Sequence, residues 1–143
     1  MGLALDQAAL AAAHSDVPVG AVVLNPHGEV VAARHNEREL TGDPTAHAEV
    51  LGLRDAANSA GSWRLEGHTL VVTLEPCPMC AGAAMNSRID SLVYGAADMR
   101  AGACLSLMNI GGDPRLNHTF EIVDGVRSAE CSEVLAQFFQ RLR

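Results

Sequence analysis

His47-Ala48-Glu49 and, after a gap, Pro76-Cys77-Pro78-Met79-Cys80 are the residues of this chain whose types and spacing can do chemistry. Two thiolates at Cys-x-x-Cys spacing and one imidazole make three ligands for zinc, an ion that prefers four in a tetrahedron. The fourth position is then left to water, and an open position marks catalytic rather than structural zinc. Water held there has its pKa lowered to roughly 7, so hydroxide is available at neutral pH. Glu49 is the nearby carboxylate that can carry its proton to a leaving group. Taken alone, Cys77 and Cys80 also fit a redox pair or half of a structural zinc knuckle. The accompanying His-x-Glu favours catalysis, with His47, Cys77 and Cys80 holding one zinc per chain.

These residues must be positioned by the surrounding elements. Residues 3–14 are Ala-rich with Leu3, Leu10 and Ala13 spaced for one helical face, and residues 18–24 form an apolar run expected as a buried strand. Asn25-Pro26-His27-Gly28 reads as a turn into a second strand over 29–34, making a hairpin. Residues 36–42 read as loop. Asp43-Pro44 supplies a cap and a proline for the first turn of a helix that runs toward Asn58 and stops by Gly61, so His47 and Glu49 are expected in its opening turns. A third strand over 68–74 leads into a helix starting at Glu75-Pro76, with the cysteine pair in its first turn, where the positive helix end favours thiolate. Residues 89–94 and 120–126 read as further strands. Between them residues 95–118 are expected to form a short helix with loops framing a pocket, and 128–143 a closing helix. This order predicts an α/β fold, three-layer α/β/α, with a mixed five-stranded central sheet. One geometric tension stands out: residues two apart on a helix do not face each other, so His47 and Glu49 converge only if the helix points its start at the metal.

A length of 143 residues suits one domain over 1–143. The four cysteines do not read as a disulfide framework, which points to a reducing, cytoplasmic setting. The apolar opening segment lacks a basic start and a cleavage site and is interrupted by Asp6 and Gln7, so an amphipathic helix is expected rather than a leader. Asp6 also stands where a myristoylation motif wants Ser or Thr. No stretch approaches a membrane span, and no organic cofactor is expected. The formal net charge of -7 conflicts with the basic footprint of nucleic-acid binders. All ten basic residues are Arg, however, and Arg grips phosphate bidentately and stacks on bases.

His-x-Glu with Pro-Cys-x-x-Cys is the signature of zinc-dependent nucleobase deaminases, in which the Glu is acid and base but not a ligand. Beyond that motif the chain resembles the bacterial tRNA-specific adenosine deaminases, the TadA family, over nearly its whole length. The resemblance is carried by Val17-Pro18-Val19-Gly20-Ala21-Val22, Asn36, Asp43-Pro44-Thr45-Ala46-His47-Ala48-Glu49, Thr73-Leu74-Glu75-Pro76-Cys77 and Met79-Cys80-Ala81-Gly82-Ala83. Ser87-Arg88-Ile89, Gly95-Ala96, Asp98, Ser106-Leu107 and Leu116-Asn117-His118 extend it. It implies a cytidine-deaminase-like fold, zinc, conversion of adenosine to inosine at the wobble position of a tRNA anticodon loop, and a homodimer. By position it implies His47, Cys77 and Cys80 as zinc ligands, Glu49 as proton shuttle and Asn36 as a hydrogen-bond partner of the target nucleotide. Val19, Asp98, Asn117, His118 and Phe139 fall where the family lines its pocket or touches the anticodon loop. Their structural alternatives are a core strand residue for Val19, an anchor of the last helix for Phe139 and a capped loop residue for His118.

Two other readings compete. A deaminase of a free base or nucleoside, guanine or cytosine type, would use the same zinc and Glu, and the acidity favours a small substrate. A zinc-stabilised binding module without catalysis would need a fourth protein ligand, and none lies at suitable spacing. Cys104 and Cys131 are expected as buried small hydrophobes.

Overall fold

A computed structural model describes residues 1–143. The chain opens with α1 (Gly2–Ala13), then the hairpin β1 (Gly20–Leu24) and β2 (Val30–His35), the single turn α2 (Arg38–Thr41) and the helix α3 (Ala48–Ala60). It continues through β3 (Thr69–Leu74), α4 (Pro78–Asn86), β4 (Ser91–Ala96), β5 (Glu121–Val123) and α5 (Ser128–Arg141). The five strands form one sheet in the order β2-β1-β3-β4-β5. β1 runs antiparallel to both β2 and β3, whereas β3, β4 and β5 are mutually parallel, so the sheet is mixed.

Side-chain alternation along the strands divides the interior into two layers. Ala21 and Val23 of β1, Leu70 and Val72 of β3, and Leu92 and Tyr94 of β4 pack with Leu53 and Ala56 of α3 and Ala81 and Ala84 of α4. Val22 and Val71 point the other way and meet Ala4 of α1. With helices on both faces, β3 is buried on both and reads as a continuous apolar run, Leu70-Val71-Val72. The α/β/α layering expected from the sequence is therefore the observed one. α1 lies so close to β1 that a side chain at Gly20 would collide with the Ala4 carbonyl and the Ala8 amide nitrogen. The β1–β2 turn also forms as expected: the Asn25 side chain accepts from the His27 and Glu29 amides at 2.9 and 3.0 Å, and Gly28 takes φ +79°.

Several expectations are corrected. α3 begins at Ala48 and not at Asp43-Pro44, because Asp43 closes a turn of its own, accepting from the Thr45 amide and hydroxyl at 2.8 Å each. Residues 36–42 include the turn α2, whose second and third amides, Glu39 and Leu40, donate at 2.7 and 3.1 Å to the buried carboxylate of Asp16, 23 and 24 residues away. A partner that distant leaves no local signal. α4 begins at Pro78 with Cys77 as its cap residue, and not at Glu75-Pro76. Residues 95–118 hold no helix after β4 ends; they form turns. β5 spans three residues where seven were expected, since Gly125 at φ +73° and Arg127 at φ +52° turn the chain toward α5.

Candidate active site

The site forms at the C-terminal end of β3, where α3 and α4 both begin. His47 precedes α3 in extended conformation, φ -76° and ψ 147°, and Cys77 precedes α4 in the same way, φ -71° and ψ 172°. Their backbones are not helical, so their side chains are not bound by helical spacing. This resolves the tension between His47 and Glu49: the former caps α3, the latter lies in its first turn, and both reach one cavity. The positive ends of two helices meet here, which favours anionic ligands.

His47 Nδ1 lies 3.7 Å from Cys77 Sγ and 3.4 Å from Cys80 Sγ, and the three donor atoms lie within 4.8 Å of one another. A tetrahedral zinc with ordinary Zn–S and Zn–N bonds requires an S···N edge of about 3.6 Å. The residues present therefore fit the ion. The acid–base chemistry of the donor set agrees. Contact with Cys80, outweighing burial, pulls Cys77 down to about 4, while Cys80 is pushed up by Cys77 and by burial. His47 is raised, chiefly by its bond to Cys77. Two thiols this close cannot both ionise without a cation between them, and zinc meets that demand. Glu49 is 4 % exposed, and its carboxyl is driven up by burial.

The cavity has a volume of about 220 Å³ and is walled by His47, Ala48, Glu49, Cys77, Val19, Asn36 and Asp98, together with Val17, Arg38, Leu74, Glu75 and Ala101. Among the residues expected to line it, Val19, Asn36 and Asp98 are thus brought together with the metal donors. Asn36 is only 7 % exposed, and its amide is already engaged: Nδ2 donates to the Val17 carbonyl at 3.1 Å and Oδ1 accepts from the Arg38 amide at 3.3 Å. Phe139 of α5 lies in two adjoining cavities, one sharing Val17, Leu74 and Asp98 with the site and the other sharing Val17, Asn36 and Arg38. Asn117 and His118 do not join the cavity. His118 is bonded through Nε2 to the Ile89 carbonyl at 2.7 Å, at the opening end of β4, whereas the metal donors sit beyond the closing end of its parallel neighbour β3. Cys104 and Cys131 are buried and unpaired, and burial pushes Cys104 up to about 12.

Sequence reasoning assigned no role to Val17, Arg38, Leu74 or Glu75. Glu75 is the most consequential. It is 2 % exposed, and burial alone would raise its carboxyl. Bonds from the Leu105, Ser106 and Asp98 amides and the Ser106 hydroxyl outweigh that and hold it below the usual carboxylate range. Its place directly before Pro76-Cys77 is the one local signal; its partners lie 23 to 31 residues downstream.

Comparison with known proteins agrees with this geometry. Residues 1–96 match the model of the cytidine and deoxycytidylate deaminase zinc-binding region. The chain is 46 % identical over 140 residues to the tRNA-specific adenosine deaminase of Bacillus subtilis (strain 168), covering 98 % of this chain and 86 % of that one. It is 44 % identical over 143 residues to the enzyme of the same name from Haemophilus influenzae, covering 100 % and 83 %. A solved tRNA:A34 deaminase, described for A-to-I editing at the wobble position of transfer RNA, superposes with a TM-score of 0.90 at 40 % identity, covering 94 % of this chain and 97 % of that one. A zinc-shaped triad at the starts of two helices, with a family model spanning both halves of that triad, places this chain in the cytidine and deoxycytidylate deaminase zinc-binding family.

Proposed function

We propose that this chain, as one deaminase domain over 1–143, hydrolyses adenosine to inosine at the wobble position of a tRNA anticodon. The observation that carries this is the cavity lined by His47, Cys77 and buried Glu49, with the buried Cys80 thiol behind them completing a donor set at zinc-tetrahedron spacing. Its volume of about 220 Å³ is below the roughly 300–1,000 Å³ of sites that enclose drug-sized ligands, so it suits one extruded base with the sugar and loop left outside. The full-length likeness to tRNA-specific adenosine deaminases supports adenosine in RNA over a free base.

His47, Cys77 and Cys80 hold one zinc per chain, and that ion, when bound, supplies Lewis-acid activation of a water. Glu49 takes a proton from the attacking water and delivers it to N1 of adenine. The C6–O bond forms, Glu49 passes the second proton to N6, and the C6–N6 bond breaks to release ammonia. One water is consumed, and inosine and one ammonia are made. Asn36 retains a second amide hydrogen and a second carbonyl lone pair for the nucleotide. Val19 and Asp98 wall the base, and Phe139 meets the flanking loop.

The chain works as a cytoplasmic homodimer. Met99, Leu105, Leu107 and Met108 are exposed on one turn-rich segment, an apolar surface that a second copy would cover and that Asn117 and His118 follow closely in sequence. Sedimentation velocity on the zinc-loaded protein is expected to give a dimer. For the activity, a wobble-adenosine stem-loop is compared with free adenosine, cytidine and guanine. Turnover of the stem-loop is expected to exceed the others by far; equal or better turnover of a free base would replace this reading with a small-molecule deaminase.

A further inference from the structure

Glu75 is an anion enclosed by backbone amides in the wall of the cavity. Oε1 accepts from the Cys104, Leu105 and Ser106 amides at 3.2, 2.8 and 2.9 Å, and Oε2 from the Asp98 amide at 3.0 Å and the Ser106 hydroxyl at 2.5 Å. Successive amides aimed at one oxygen form a nest of the kind that elsewhere binds phosphate. Gly102 belongs to the same device, because a side chain there would overlap the carboxylate. A carboxylate has about four lone-pair sites, and five donors occupy them, which leaves no capacity for proton traffic. Glu75 is therefore not a second acid–base group beside Glu49.

All five donors come from one segment, residues 98–106, whereas Glu75 sits two residues before Cys77. Asp98 and Ala101 of that segment line the cavity. The segment has no helix or strand of its own to hold its shape. We infer that Glu75 is a positioning residue: it ties the 98–106 segment to the metal-binding motif, so that the wall against which the base docks is held in register with the zinc donors. This rests on the proposed reaction for its substrate, but the tie itself is a matter of geometry. The zinc donors His47, Cys77 and Cys80 and the carboxyl of Glu49 stand at the starts of α3 and α4, outside the tied segment, so loosening the tie acts on base docking rather than on proton transfer.

The test compares zinc-loaded wild type, Glu75→Gln and Ser106→Ala. Glutamine has the same shape, but its NH2 end cannot accept from an amide. Expected for Glu75→Gln is one zinc per chain, faster amide exchange at Asp98, Cys104, Leu105 and Ser106, and a KM for the stem-loop raised about tenfold with kcat changed less than about threefold. Ser106→Ala, which removes one donor, is expected to move KM and exchange in the same direction by about two- to threefold, and it decides the matter if the Gln variant does not fold. Unchanged KM with only a lowered melting temperature would reduce Glu75 to a packing role, and loss of zinc in Ser106→Ala would assign the network to the metal site. A wild type that ignores the stem-loop but deaminates a free base removes the proposed substrate; the KM comparison on that base then decides the role of Glu75.

Discussion

Glu49 and Asn36 line the same cavity with different obligations to the fold. Glu49 is buried by the helix it opens, and its carboxyl is raised by that burial, the state from which it can donate as well as accept. Glu49→Ala is expected to retain one zinc per chain while turnover falls by about 10²–10⁴-fold, the usual worth of a general acid–base group. Metal analysis alongside single-turnover kinetics measures both, and an active alanine variant would sink the mechanism. Asn36, read from sequence as a loop residue free to bind the base, also ties Val17 to Arg38. Asn36→Ala is therefore expected to slow deamination and to cost about 1–2 kcal/mol of stability as two bonds are lost, read by urea denaturation. Normal stability with slow kinetics would show those bonds to be incidental.

At the scale of elements, the site is the meeting of two helix starts above β3. Cys80 lies in α4 and Cys77 directly before it, while His47 directly precedes α3, so a bound zinc would clamp the starts of two helices. Removing zinc with a chelator is expected to lower the melting temperature, and adding it back should restore the value. Cys80→Ala should already show the low value and be insensitive to chelator. A chelator that lowers the melting temperature of Cys80→Ala as much as that of wild type would mean a different stabilising ion. On the opposite face, α1 rests on Gly20. Gly20→Ala is expected to cost about 1–3 kcal/mol by lifting α1, with zinc content unchanged, because the collision is with backbone and not with a side chain that can turn away.

The whole molecule is acidic, with a formal net charge of -7, yet its arginines are not equivalent. Arg34, Arg115 and Arg127 are spent on Glu37 and Asp55, Asp113, and Glu130. Arg38, Arg100 and Arg143 form no ion pair and border the site and its adjoining cavities. Three phosphate contacts would give a slope of about -2 in the logarithm of affinity against the logarithm of salt for single-stranded RNA. Stem-loop binding across a salt series is thus expected to fall shallowly, with stacking and base-edge bonds carrying the remainder. A slope several times steeper would mean a basic surface supplied from outside this chain.

The amino-acid sequence by itself determined the chemistry and the layering. His47, Cys77 and Cys80 are legible because metal ligation demands particular atom types, Glu49 because a carboxylate stands two residues from one of them, and five strands among helices because apolar periodicity follows backbone geometry. Tertiary structure decided where the helices begin and what holds the loops. His47 and Cys77 precede their helices, which frees their side chains from helical spacing, while Asp43 is drawn into a local turn. α2 depends on Asp16, and residues 98–106 depend on Glu75. Their donors and acceptors are separated by more than twenty residues, so no local pattern announces them. A buried carboxylate satisfied by backbone amides looks in sequence like any surface Glu or Asp; only the folded chain brings its partners to it.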